Sequence, residues 1–548
     1  MKLYEALAKA FVDEGVTTVF GLMGDANMFW MNALDKHGVK LIDTRHEGVA
    51  LAMADGYAQV TGVPGVATTT SGPGVTQLAT SLVVAARAAT PLVVFCGDTN
   101  VGDRGAVQRF NHEAFAAATE SGHVRIARVE DAYEGVALAF YRARAERRPI
   151  MLSCAQDLQQ QEFDDTEEYT PSTALWSTAA THPSSESLAD AAAIVAGARR
   201  PVIIAGRGAR GAAAEIRALA QQTGALIATT LLTKNFLADD EFHAGIAGLF
   251  STRAVIELFT ECDCVISVGA SMNHYTTEHG YLFPEARYVQ IDDRAQAYLG
   301  DGRRADAYVQ ADAAVAVRGL AEALTEKAYA NTGYRTPDVR ARLDRTLEDP
   351  KEYEIPDGTI DPRTAYRALD AALPGDIGLV LGSGHQSHFG TVLMTRPRPM
   401  TLVNKHFGCI GQGLGTGIGA VVATGGRPAA LVEGDSSIMM HIGDFETAVR
   451  HDVPLLIVVF NDESLGAEYH KSMSKGLRPE LARVTTPNLA EVAVALGGRG
   501  WQVRNEDELT EAVECFAADP GPAIIDVRTA PTVLSIQYRR LWKGDPDA

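Results

Sequence analysis

Ala429-Ala430-Leu431-Val432-Glu433-Gly434-Asp435-Ser436-Ser437 opens the stretch that decides the fold, and Leu455-Leu456-Ile457-Val458-Val459-Phe460-Asn461-Asp462-Glu463-Ser464-Leu465-Gly466 closes it. Each half is a short apolar run ending in small and acidic residues, and a helical pattern lies between them. Run, helix and run together make a βαβ unit of a parallel sheet. Both strands of such a unit end at the same edge, where doubly wound folds bind ligands. Two carboxylates and a carbonyl there are hard oxygen ligands, suited to Mg²⁺ bridging a diphosphate. Serines and free N–H groups at a helix start suit phosphate oxygens. Each piece alone has an ordinary explanation, since a Gly-Asp pair at a strand end is commonly just a turn.

The same rhythm of Val-, Ile- and Thr-rich runs, helical patterns and Gly/Pro joins extends along most of the chain, which predicts α/β architecture with parallel sheets. Val16–Phe20, Val39–Thr44, Gly65–Thr70 and Pro91–Gly97 read as strands of a first unit. Pro201–Gly206, Asp263–Gly269 and Tyr288–Ile291 belong to a second, and Ile377–Gly382, Ala429–Glu433, Leu455–Phe460 and Ala523–Val527 to a third. Polar stretches at Gln159–Ser185 and near Thr332–Pro356 read as linkers, and the tail Val533–Ala548 as a segment that frays. The expectation is three doubly wound parallel-sheet domains at residues 1–170, 187–332 and 357–535. No sequence repeat relates them.

Composition fits that division: 548 residues are too many for one core. Hydrophobic content of 46% with 22% charged residues is that of a soluble globular protein. A net charge of −20 argues against nucleic-acid and anionic-membrane partners. No apolar run is long enough to span a bilayer, and the start lacks a signal-peptide pattern, so the expected location is the cytoplasm. The six cysteines include no CxxC pair. Cys262 and Cys264 alternate onto one face of a strand, which predicts two buried thiols rather than a metal site.

Gly434-Asp435-Ser436, about two dozen residues, then Asn461-Asp462 resembles the thiamine-diphosphate signature, usually Gly-Asp-Gly followed at a similar gap by Asn-Asn. The likeness runs along nearly the whole chain and is nearest to the group of acetolactate synthase, pyruvate oxidase and the 2-oxo acid decarboxylases. It implies Asp435, Asp462 and the Ser464 carbonyl as Mg²⁺ ligands, with Gly434, Ser436, Ser437, Leu465 and Gly466 around the cofactor. Ser436 stands where Gly is usual and Asp462 where Asn is usual. Gly382-Ser383-Gly384-His385-Gln386 resembles the family's Gly-x-His-Gln, which implies diphosphate contacts for Gly384, His385 and Gln386. Phe407-Gly408-Cys409-Ile410-Gly411-Gln412-Gly413-Leu414-Gly415 resembles the loop that grips the aminopyrimidine. By that resemblance the Gly408 carbonyl accepts from the 4′-amino group and Ile410 wedges between the two rings.

Near the start, Glu47-Gly48-Val49-Ala50, Asp55-Gly56-Tyr57-Ala58 and Thr70-Ser71-Gly72-Pro73-Gly74 resemble three consecutive blocks of the same family at family spacing. A lone Glu at a helix start is ordinarily a surface residue favoured by the dipole. The resemblance instead makes Glu47 the acid that shares a proton with N1′ of the cofactor, a role suited to a buried carboxyl with a raised pKa, and brings Ser71 and Pro73 to the cofactor. Activated thiamine attacks a carbonyl, and loss of CO₂ from a 2-oxo acid is followed by protonation to an aldehyde or attack on a second carbonyl. The resemblance also places Glu47 and the diphosphate motif in different chains, hence a homodimer or homotetramer with shared sites.

Substrate choice is less sharply marked. Where acetolactate synthase and pyruvate oxidase have Phe-Gln-Glu, this chain has Phe110-Asn111-His112, and it lacks the adjacent His pair of pyruvate decarboxylases. Candidate pocket residues are Met23, Gly24, Gln77, Asn111, His112 and His470. A rival signal is Gly206-Arg207-Gly208-Ala209-Arg210-Gly211 after a strand, a dinucleotide fingerprint without the acid expected after the next strand. It reads first as a plain glycine turn. FAD remains an option that no clear motif supports. The leading expectation is a carboligase of acetolactate-synthase type, with a simple 2-oxo acid decarboxylase as alternative, a FAD- or NAD-dependent oxidoreductase as a second class and a catalytically dead homologue as a third.

Overall fold

The structure, a computed structural model, describes residues 1–164, 166, 168–177, 179–327, 329, 331–343 and 349–544. Among the described residues, eighteen strands form three six-stranded sheets, and the described strand pairings are parallel throughout. The first sheet contains β1 (Thr18–Gly21), β2 (Lys40–Asp43), β3 (Gly65–Thr69), β4 (Leu92–Asp98), β5 (Gly122–Ile126) and β6 (Pro149–Ala155), in the order β2-β1-β3-β4-β6-β5. The second contains β7 (Pro201–Ala205), β8 (Leu226–Thr229), β9 (His243–Ile246), β10 (Cys264–Val268), β11 (Arg287–Asp292) and β12 (Ala307–Gln310), in the order β12-β11-β10-β7-β8-β9. The third contains β13 (Gly378–Leu381), β14 (Thr401–Val403), β15 (Ala429–Gly434), β16 (Leu455–Asn461), β17 (Arg499–Val503) and β18 (Ala523–Arg528), in the order β14-β13-β15-β16-β18-β17. The α/β class and its parallel sheets are as the apolar runs indicate.

By compactness the chain falls into two units, one of residues 1–177, 355–390 and 404–531, the other of 178–354, 391–403 and 532–548. In the first, helix Glu47–Thr61 crosses helix Gly413–Ala423 at very close range. A methyl on Gly56 would collide with the Thr416 carbonyl, one on Gly419 with the Met53 carbonyl, and one on Gly415 would sit 2.7 Å from Ala52 Cβ. The glycine density of 413–419 is therefore a helix-packing face. Only Phe407–Gln412 precedes the helix as a loop.

Three readings of the connecting segments change. The supposed linker 159–185 is tied down in its first half by Glu14, which accepts hydrogen bonds from the Tyr169 hydroxyl (2.7 Å), the Ser172 N–H (2.6 Å) and the Ser172 hydroxyl (2.7 Å). Arg144 pairs with the same carboxylate at 3.1 Å, so a buried, fully bonded charge replaces the flexible joint that polar composition suggests. In 332–356, Tyr334 donates to the Leu258 carbonyl at 2.7 Å, and helix Pro337–Leu343 buries Val339 and Leu343. In the tail, Val533 and Leu534 are buried and Ile536–Tyr538 is helical. Parts of all three segments, residues 165, 167, 178, 344–348 and 545–548, lie outside the described residues. Cys262 and Cys264 are both buried, as expected.

In the second sheet, the Gly206 N–H donates to the Val268 carbonyl (2.8 Å) and the Gly208 N–H to the Gly269 carbonyl (3.1 Å). A side chain at Gly206 would strike Gly269 and Ala270. These glycines let two strand-end turns meet, which is the plain-turn reading of the fingerprint.

Candidate active site

Two clusters form at strand ends of the first unit. The third-sheet cluster starts where β15 runs into the short helix Asp435–Met439. Asp435 is 2% exposed, and the Thr486 hydroxyl donates to its Oδ2 at 2.7 Å. Burial pushes its pKa up to about 6, against the lowering effect of that hydrogen bond. One strand over, Asp462 follows β16 and its Oδ1 accepts from the Ser464 N–H (2.9 Å) and hydroxyl (2.8 Å). Burial first, and then the nearby Asp435 charge, raises Asp462 to about 7. Two buried carboxylates, one of them opposed by the charge of the other, are what a divalent cation relieves.

The surrounding turns close on this pair. A Cβ at Gly466 would lie 2.9 Å from Asp462 Oδ2 and 3.2 Å from His385. His385 is buried with its ring 4.8 Å from that of His470, and burial holds it well below the usual histidine range. Leu465 is the half-buried N-cap of helix Gly466–Ser474. Gln386 donates from Nε2 to the Ser383 carbonyl (3.1 Å) and packs beside Gly434, while Gly384 takes the positive φ (120°) of its turn. The Ser437 hydroxyl accepts from the Gly411 N–H at 2.8 Å, joining the acidic turn to the glycine loop that carries Gly408 and Ile410.

The donor set fits the implied groups. The Ser436 hydroxyl and the Gln386 amide oxygen are buried without a hydrogen-bond partner, a costly state that a polar ligand relieves. Two carboxylates and the Ser464 carbonyl provide only hard oxygen for a cation.

The first-sheet cluster surrounds Glu47, the first residue of helix Glu47–Thr61. His46 caps that helix, Nδ1 accepting from the Gly48 N–H at 3.0 Å. Glu47 is half-buried in the single chain rather than largely buried. Its Oε1 faces Gly74, where a Cβ would come within 3.1 Å. The Thr69 hydroxyl beside Gly74 is fully buried and unpartnered. Buried Ser71 and exposed Pro73 belong to this turn, and Gly24 packs against Thr70 from below. The Ser81 hydroxyl lies 2.7 Å from the Gly48 carbonyl and 2.9 Å from Gln412 Oε1, and the His46 and His441 rings are 4.8 Å apart. Within one chain, the start of the Glu47 helix thus already meets the glycine loop and the segment after the acidic turn.

Among the pocket candidates, Met23 and Gln77 are exposed. Asn111 Oδ1 caps helix His112–Ala118 by accepting from Ala114 N–H (3.0 Å), and His112 is buried with Nδ1 2.8 Å from the Ser153 hydroxyl. His470 lies with His385 in the third-sheet cluster.

The sequence reading passed over two residues. Glu433 is buried under the acidic turn, its carboxyl against Gly382 and Gly413, and burial raises it to about 8. A charged residue ending an otherwise apolar strand was the available signal. Gln108, on the loop before Phe110, accepts from Ser71 at 2.6 Å. No local pattern marked it.

A sheet edge that gathers an acidic pair, an unpartnered hydroxyl and an unpartnered amide oxygen, with a carboxylate at a second edge, suits an enzyme working through a diphosphate-bearing cofactor and a divalent cation. Residues 1–120, 188–320 and 382–527 match family models described as the N-terminal TPP binding domain, the central domain and the C-terminal TPP binding domain of thiamine pyrophosphate enzymes. The chain belongs to the thiamine pyrophosphate enzyme family, whose members form and cleave carbon–carbon bonds with thiamine diphosphate and typically Mg²⁺. It is 28% identical to a probable acetolactate synthase large subunit of Methanocaldococcus jannaschii, over 96% of this chain and 92% of that protein. It is 29% identical to a sulfoacetaldehyde acetyltransferase of Castellaniella defragrans (95% and 92%) and 28% identical to a probable 2-ketoarginine decarboxylase of Pseudomonas aeruginosa (96% and 94%). No described helix is long and apolar enough to cross a membrane.

Proposed function

We propose that the protein is a thiamine-diphosphate-dependent carboligase of acetolactate-synthase type, which decarboxylates a 2-oxo acid and transfers the acyl unit to a carbonyl acceptor. The observation that carries the site assignment is the acidic pair Asp435/Asp462 at adjacent strand ends, set beside the unpartnered Ser436 hydroxyl. The relatives named as acetolactate synthase and acetyltransferase favour transfer to an acceptor, whereas the one named as a decarboxylase supports the alternative, simple release of an aldehyde.

Asp435, Asp462 and the Ser464 carbonyl hold Mg²⁺. Gly434, Ser436, Ser437, Leu465, Gly466, Gly384, His385 and Gln386 hold the diphosphate end of the cofactor. Gly408 and Ile410 would fix its pyrimidine, and Ser71 and Pro73 would also contact the cofactor. Bound thiamine diphosphate supplies a nucleophilic carbon and an electron sink for the pair released when a bond beside a carbonyl breaks. Glu47 moves a proton to and from the pyrimidine N1′. Met23, Gly24, Gln77, Asn111, His112 and His470 are the proposed substrate wall. Domain boundaries at 1–170, 187–332 and 357–535 belong to the same reading, as do a cytoplasmic location and a homodimer or homotetramer with sites shared between chains.

Incubation of the holoenzyme with pyruvate and a panel of 2-oxo acids, with and without aldehyde acceptors, tests the activity. Hydroxyketone formation is expected. Aldehyde and CO₂ alone, whatever the acceptor, would establish the decarboxylase instead.

A further inference from the structure

The loop 99–111 leaves the first sheet after Asp98 and runs into helix His112–Ala118, which leads to β5. Its two ends lie close together. His112 Nε2 lies 4.0 Å from Asp98 Oδ1, and Arg125 is 3.8 Å from Asp98 Oδ2. His112 Nδ1 and His123 Nε2 both reach the buried Ser153 hydroxyl, at 2.8 and 3.0 Å. Val101 N–H donates to Asp157 at 3.1 Å. The span beyond is largely exposed, with Val107 fully in solvent, and one exposed residue of it reaches back with its side chain.

That residue is Gln108. Its Oε1 accepts from the Ser71 hydroxyl at 2.6 Å, and Ser71 itself is 4% exposed. The Gln108 backbone presses on Gly72, whose φ is +58° and where a Cβ would come within 2.9 Å of Gln108 Cβ. Two residues further, Gly74 faces Glu47 Oε1 and the Thr69 hydroxyl. On its other side the turn is tied by the Ala26 N–H, which donates to Thr70 Oγ1 at 3.3 Å. The Gln108 bond is the shorter of these two ties.

We propose that Gln108 is a positioning residue of the Glu47 site: by clamping Ser71 and Gly72 it holds Gly74 against the Glu47 carboxylate and fixes the direction in which that carboxylate points. The clamp acts through the turn, and Gln108 itself touches no reacting atom. It rests on the reading of Glu47 as the proton carrier. A carboxylate at a helix start has several rotamers, and a wall that leaves no room for a methyl selects among them. Loosening the wall by about 1 Å lowers the rate of a step that depends on alignment, by up to about a hundredfold. Binding of substrate is untouched, so the effect belongs to kcat and not to KM.

The test uses the full-length holoenzyme and four variants: Gln108→Ala, Gln108→Glu, Ser71→Ala and the Ser71→Ala/Gln108→Ala pair. Gln108→Ala is expected to lower kcat about tenfold with KM changed less than about twofold, and to displace the acid limb of the pH–kcat profile. Gln108→Glu keeps an acceptor for Ser71 and is expected to recover most of the rate. Both alanine variants remove one bond, so the double variant is expected to be no slower than the slower single. Amide exchange without cofactor supplies a readout independent of turnover: protection at 71–74 falls in Gln108→Ala while β3 stays protected. Unchanged exchange at 71–74, a loss confined to KM, or losses that multiply in the double variant would each overturn the clamp. If exchange behaves as expected but Glu47→Gln keeps full activity, it is the reading of Glu47 that has failed, and the catalytic role of the clamp falls with it.

Discussion

The first and third sheets have the same topology. Numbered within each sheet, both run 2-1-3-4-6-5, whereas the second sheet runs 6-5-4-1-2-3. Corresponding strand ends therefore line up: the turn after β2 that carries Glu47 matches the loop after β14 that carries Gly408 and Ile410. The turn after β3, Thr70–Gly74, matches Gly434–Ser437 after β15, and the loop after β4 matches Asp462–Gly466 after β16. One backbone plan thus carries two chemistries. The third sheet collects two carboxylates, hydroxyls and a histidine suited to a cation and a diphosphate. The first presents a single carboxylate walled by glycine and small polar residues. The second sheet, with its different order, uses its glycines to seal the turn after β7 against Gly269. Strand order sets where an edge is available, and the residues at the turns decide what it does.

The sharpest way to break this division of labour is Glu47→Gln. The expected outcome is a loss of turnover of about a hundredfold or more, with Mg²⁺-dependent thiamine diphosphate binding retained by calorimetry. Asp435→Ala should do the opposite, abolishing metal-dependent cofactor binding while Glu47 stays intact. Asp462→Asn, which keeps an oxygen ligand, should cost much less. Mixing Glu47→Gln with Asp435→Ala protein asks whether the two edges that cooperate belong to one chain. Shared sites restore about one quarter of wild-type activity in a randomly mixed dimer, because half the dimers are mixed and each has one intact site. No recovery would place each complete site within a single chain.

A smaller effect is expected where the two plans touch. Gly419→Ala forces a methyl into the Met53 carbonyl and should destabilise the first unit by about 1–3 kcal/mol, read as a lowered denaturation midpoint. The smallest concerns His441, whose pKa burial and then the neighbouring His46 lower to about 4 from 6.5. The unfolded chain takes up this proton first. Stability therefore holds above pH 6.5 and declines as pH falls from 6.5 towards 4, and His441→Asn should flatten that part of a melting-temperature profile.

The interior strands were legible because they are buried on both faces, and Leu455–Phe460 needs no partner to be read as such a strand. Most edge strands were not, β2 being the exception. Arg499-Gly500-Trp501-Gln502-Val503, His243–Ile246 and Gly122–Ile126 mix polar and apolar residues because one side meets solvent, and they carry no long apolar run. Strand β6, with Ile150-Met151-Leu152, is an omission the residues do not force. At the site, Glu47 and Asp435 stood out because motif spacing is local. Thr486 on Asp435 and Gln108 on Ser71 come from distant chain segments, and such pairings are set by folding alone.

The crossing of helix Glu47–Thr61 over helix Gly413–Ala423 has a consequence for tolerance. It acts as a machinist's jig: at Gly56 and Gly419 backbone bears on backbone, so the spacing there has no adjustable side chain in it. Glu47 starts one arm and the loop of Gly408 and Ile410 leads into the other, and a single added methyl offsets both arms at once. Neutral drift is therefore narrow along these two faces, and a library aimed at new acceptors is best directed to residues 99–107, leaving Gln108 and this gauge untouched.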